Sequence, residues 1–156
     1  MSHEQAMDAV AAAMDGTAWL AVGVAFVAYF LLSFLWWGPI FGKKWAALHG
    51  MDMEEQPSMT VPLILQVVGS FLMAYVFWNV QAAFFVTHDP DGGLMLGEWG
   101  MGSAIFGAVM TWIGFIVPLK LGAVAWEQKP WALFGIDVGG HLVGLIAMAV
   151  SFSLLS

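Results

Sequence analysis

The stretch TAWLAVGVAFVAYFLLSFLWWGPIFGKKW, Thr17 to Trp45, decides the fold. From Thr17 to Ile40 it carries no charged residue. About 20 mainly apolar residues cross the hydrocarbon core of a bilayer, so the run reads as a transmembrane helix. Its end carries two tryptophans, whose amphipathic rings suit the boundary between lipid tails and headgroups. Gly38 and Pro39 weaken the helix there, glycine through conformational entropy and proline by lacking a backbone donor. Lys43 and Lys44 follow and hold the next loop in the cytoplasm.

Three further runs have the same character, at about 61–86, 101–125 and 131–155. The chain is 61% hydrophobic and 10% charged, far from the balance of a soluble domain. The expected fold is therefore all-α, an integral membrane four-helix transmembrane bundle formed by residues 17–156, with the first span at about 17–40. Residues 1–16 contain Glu4, Asp8 and Asp15 but no basic residue, which does not fit a secretory signal. They are expected to form a short polar N-terminal tail or a surface helix.

Composition also excludes chemistry. Without cysteine there is no disulfide, thiolate metal site or cysteine nucleophile. A net charge of −7 with no basic patch gives no hold on nucleic acid. No nucleotide loop, nucleophile elbow or paired-carboxylate motif is present, so no catalytic residue is nominated. No cofactor is expected either, since membrane haem usually takes two histidines at matching depth and only His141 lies inside a span. On the second loop, His88, Asp89, Asp91 and Glu98 could hold a divalent cation, but a DPDGG turn explains the same residues and no metal is assigned.

All the basic residues are lysines: Lys43, Lys44, Lys120 and Lys129. They lie after the first span and around the turn between the third and fourth, so four crossings place them on one side. Positive residues stay cytoplasmic, which puts both termini on the outer side. By depth, Trp36, Trp37, Trp45, Trp126 and Trp131 form an inner interfacial belt, and Trp19, Trp78 and Trp99 an outer one. Trp112 alone lies deep in a span. Thr60 is expected to cap the second span, with Pro62 tolerated in its first turn.

The third and fourth spans are joined by a short turn at 127–130, which makes them antiparallel neighbours. Measured from its midpoint, Lys120 and Asp137 lie at equal depth, about 12 Å along each helix. An ammonium and a carboxylate so placed can pair if both face inward. His141 sits one turn beyond Asp137 on the same face. With Ser33, Gln66 and Ser70 at comparable depth, these six side chains form an expected polar layer in the cytoplasmic half. Such a layer serves either as an ion or proton pathway, or as a satisfied network that fixes helix register. Gly135, Gly139, Gly140 and Gly144 form two GxxxG pairs on the fourth span, which predicts close helix approach.

WWGPIFGKKW resembles the signature of the bacterial domain of unknown function 1761 family, whose pattern reads W-aromatic-G-P-L-F-G-K-x-W. The resemblance continues through WIGF at Trp112–Phe115 and KPWALFGIDVGGHLV from Lys129. It implies a small four-helix integral membrane protein, multi-pass in the bacterial inner (plasma) membrane, and carries no catalytic residue across. Lys120 and His141 fall outside the family pattern. The functional expectation is a non-catalytic protein whose partners are the bilayer and either its own copies or other membrane subunits. The alternative is a small transporter or channel acting through Asp137 and His141.

Overall fold

Lipid offers the backbone no hydrogen bonds, so a chain of this composition must satisfy its amides within helices. The computed structural model describes residues 3–51, 58–84, 86–88, 94–96 and 100–155. Among them, four segments are long and apolar enough to cross a membrane: Trp19–Ile40, Thr60–Ala83, Met101–Trp126 and Trp131–Leu155. The fold is all-helical across the membrane. Helix α1, His3–Leu35, is continuous from the acidic leading segment into the first span.

Two spans contain a widened π-helical turn, and each turn has a proline at hand. In the first, Trp36–Ile40, Pro39 lacks the N–H that would continue α1, and Gly38 leaves helical geometry (φ −100°, ψ −106°). The Phe41 N–H closes the wide turn on the Trp36 carbonyl at 2.9 Å. The chain then enters α2, Gly42–His49. Gly42 is required there, since a Cβ would lie 2.7 Å from the Trp37 carbonyl oxygen. Gly50 ends α2 in the left-handed region, φ 68°.

Helix α3 spans Thr60–Phe84. Ser58, rather than Thr60, provides the capping oxygen, accepting from the Thr60 N–H at 3.3 Å. Beyond α3, β1, Val86–His88, pairs with antiparallel β2, Leu94–Leu96. This small hairpin adds to the expected helical class. The third span consists of α4, Met101–Thr111, a π turn at Trp112–Ile116, and α5, Val117–Trp126. Pro118 lies in the first turn of α5 and would clash with the carbonyl four residues back in a regular helix, which the wide turn avoids. A short turn with Gln128 at φ 54° leads to α6, Trp131–Leu155.

Helix α6 packs most extensively on α1, then on α4, while α3 leans on α1 and meets α4 only slightly. The contact surfaces are built from small side chains: Ala21, Ala25, Ala74, Ala104, Ala108 and Ala149 are buried. With lipid as solvent, such residues matter by letting backbones approach and make dispersion contacts. Near the C-terminal end of α6, Phe152 packs against Phe77 and Trp78. Gln81 is buried on α3 and donates to the Ala104 carbonyl at 2.9 Å.

Candidate functional site

Three consecutive residues of α6 accept hydrogen bonds from one ammonium and four indoles. Lys120, from α5, places its Nζ 3.1 Å from Asp137 Oδ2, with the carboxylate side chain 15% exposed. The other oxygen, Oδ1, accepts the indole N–H of Trp45 at 3.0 Å and, more weakly, that of Trp37 at 3.4 Å. Trp36 donates to the Ile136 carbonyl at 2.9 Å, and Trp112 to the Val138 carbonyl at 2.7 Å. Four of the nine tryptophans therefore donate into Ile136, Asp137 and Val138.

The backbone breaks make this convergence possible. The turn at Gly38–Pro39 folds α2 back against α6, so that Trp45 reaches a carboxylate on the last span. The second wide turn begins at Trp112, whose ring packs at the core's edge. Within α2, the Trp45 ring lies 4.1 Å from that of His49, centroid to centroid, and His49 Nδ1 bonds the Trp45 carbonyl. One turn above Asp137, His141 Nδ1 meets the Tyr29 hydroxyl at 2.9 Å. Trp37 lies between Asp137 and His141, its N–H on Asp137 and its ring 5.2 Å from that of His141.

The glycines of α6 seat these rings. A Cβ on Gly140 would fall 2.7 Å from Trp36 Cδ1 and 2.8 Å from Trp37 Cη2. One on Gly139 would lie 3.2 Å from Trp36, and one on Gly144 would strike the Tyr29 ring. Gly135 faces open space. The two GxxxG pairs thus serve the aromatic rings of α1 and the π turn after it at three of their four positions, instead of a bare backbone-to-backbone crossing.

Of the expected layer, Lys120, Asp137 and His141 share this cluster. Ser33 is buried on α1 one turn from Tyr29. Gln66 and Ser70 form a separate pair on α3, joined at 3.2 Å. Trp126 and Trp131 face outward as interfacial residues would, and Lys43 and Lys44 are exposed on α2. Trp36, Trp37 and Trp45 instead turn inward as donors. Sequence depth missed this, and it also missed Tyr29. The available signal was the concentration of indoles beside a charged residue that lipid would not tolerate unpaired. Asp89, Asp91, Glu98 and Trp99 lie outside the described residues, and His88 is described only as part of β1.

Chemically, the arrangement surrounds the Asp137 carboxyl group with one ammonium and two indole N–H donors. A hydrogen bond to a charged group contributes about 1.5–3 kcal/mol net, and here an ammonium and two indoles act together. Both oxygens are occupied.

The segments that carry the sequence signature are the ones that meet here: 36–45 brings three indoles, 112–115 the fourth, and the stretch from Lys129 the carboxylate. A family model described as Protein of unknown function (DUF1761) matches residues 20–153. The chain belongs to that family. No curated protein and no solved structure matches it.

Proposed function

We propose that this DUF1761 family member is a non-catalytic, multi-pass protein of the bacterial inner membrane that works by helix–helix association. It acts as a homo-oligomer or as an accessory subunit of a membrane assembly. One observation carries the reading: the only intramembrane carboxylate among the described residues has both oxygens engaged by its own chain. Three donors take up most of the carboxylate's roughly four lone-pair sites, which favours a structural clamp over a freely exchanging proton or ion site. Here the charge fastens α2, α5 and α6 together, while much of α3 is left uncovered by protein. Both termini lie outside in this reading, with the four lysines on the cytoplasmic side.

The test is extraction into native lipid discs followed by mass measurement. A defined oligomer or a stoichiometric partner is the expected result, and a lone chain at every concentration would refute association. Transport remains the second reading, because the Lys120 side chain is 36% exposed and leaves the ion pair a side open. Proton or ion flux in liposomes that collapses in Asp137→Asn would favour it. Flux equal to that of empty liposomes would remove it.

A further inference from the structure

Helix α2 is a rod of eight residues with a glycine joint on either side, and its hold on the bundle is narrow. Before it the regular helical ladder is broken, because Gly38 leaves helical geometry and Pro39 has no N–H to give. After it Gly50 turns the chain through the left-handed region. Between the joints Ala46 alone is buried, while Lys43, Lys44 and Ala47 are exposed. A helix this short does not stand by itself in water, so it keeps its place through what it touches. Among the described residues its side-chain hydrogen bond to another helix is that of the Trp45 N–H to Asp137 Oδ1, at 3.0 Å. Inside the rod, His49 Nδ1 bonds the Trp45 carbonyl at 3.0 Å and the two rings lie 4.1 Å apart, so the donor is braced by its own helix.

We infer that α2 is a hinged strap, latched by Trp45 over the Lys120–Asp137 pair, that swings between a shut and an open position. Shut, it caps Oδ1 with an indole and shields that oxygen from water at the lysine-bearing end of the bundle. Open, it leaves Oδ1 with the weaker Trp37 contact at 3.4 Å and with water, while Lys120 keeps its hold on Oδ2. The strap therefore decides whether the ion pair is occluded or hydrated. Lys120 and Asp137 sit on spans that stay in the membrane, so α2 is the part of the clamp that can move. Segments with little buried apolar surface open locally while the rest of a fold stays intact, and their hinges are element-terminal residues that absorb the change in backbone angles. The device does not depend on the association reading, since a monomer and an oligomer would carry it alike.

Because the chain has no cysteine, single substitutions report without background. In lipid discs, where both faces meet buffer, a water-soluble maleimide should label Ala46→Cys far more slowly than the exposed Ala47→Cys. Trp45→Phe removes the latch bond to a charged acceptor and should speed labelling at position 46 about 10–30-fold, leaving position 47 unchanged. Ala104→Cys, buried at the other end of the bundle, should stay protected in the same background. Leu48→Cys, half-buried on α2, repeats the reading in case a cysteine at 46 itself loosens the seat. Labelling at 46 and 48 that Trp45→Phe leaves unchanged would overturn the latch. Labelling at both positions as fast as at 47, with Trp45 in place, would overturn the shut position. An equal rise at 104 would show the whole bundle loosening and overturn the strap. None of these results alters the mass of the extracted complex, so the association reading stands or falls separately.

Discussion

Replacing Trp45 by phenylalanine keeps an aromatic ring against α6 but removes the indole N–H that donates to Asp137 Oδ1 at 3.0 Å. The lost bond reaches a charged acceptor, and such bonds contribute about 1.5–3 kcal/mol. Lys120 and Trp37 remain to hold the carboxylate, so the expected cost is near the lower end, about 1.5–2 kcal/mol. Trp37→Phe removes a bond of 3.4 Å, at the edge of useful geometry, and should cost less through this contact. Reversible unfolding in mixed micelles, followed by circular dichroism, measures both. A double-mutant cycle with Asp137→Leu isolates the pairwise part. The coupling of Trp45 to Asp137 should exceed about 1 kcal/mol and be larger than that of Trp37. Zero coupling at Trp45, or the reverse order, would show that the indoles pack near the carboxylate without stabilising it.

Other substitutions probe the same geometry. Gly140→Ala drives a methyl into both the Trp36 and Trp37 rings and should cost about 1–3 kcal/mol, whereas Gly135→Ala meets nothing within 4 Å and should be neutral or stabilising in the same unfolding assay. Lys120→Met removes the counter-ion of Asp137; since Lys120 is 36% exposed, the loss should fall below the 3–5 kcal/mol of a fully buried pair, to about 1–3 kcal/mol. Adding Asp137→Leu to it should recover part of that loss. Gly50→Ala forces a side chain into the left-handed region that ends α2 and should cost about 1 kcal/mol, read as lower helicity and a lower midpoint.

The spans were legible because hydropathy integrates over many residues: the expected 17–40, 61–86, 101–125 and 131–155 lie within a few residues of the observed segments. The depth of Lys120 and Asp137 was legible as well, since a short turn makes residue counting a ruler. Facing is harder. Trp36, Trp37 and Trp45 occupy the same interfacial depth as Trp126 and Trp131, and depth cannot tell a ring turned to lipid from one turned to protein. The inward direction comes from the kink at Gly38–Pro39, whose angles depend on what α2 finds to pack against. For the same reason the glycines of α6 announced a close approach, yet not that indole and phenol rings would make it. The hairpin at 86–96 escaped notice because three-residue strands leave too little alternation to read.

The most direct measurement is the mass of the gently extracted protein in lipid discs, made in parallel on the wild type and Asp137→Asn. An internal clamp in an associating protein predicts a defined multiple of the chain mass, or a fixed stoichiometry with one partner, retained in the variant as long as it folds. A single chain in every preparation, together with an ion flux that vanishes in Asp137→Asn, would contradict it.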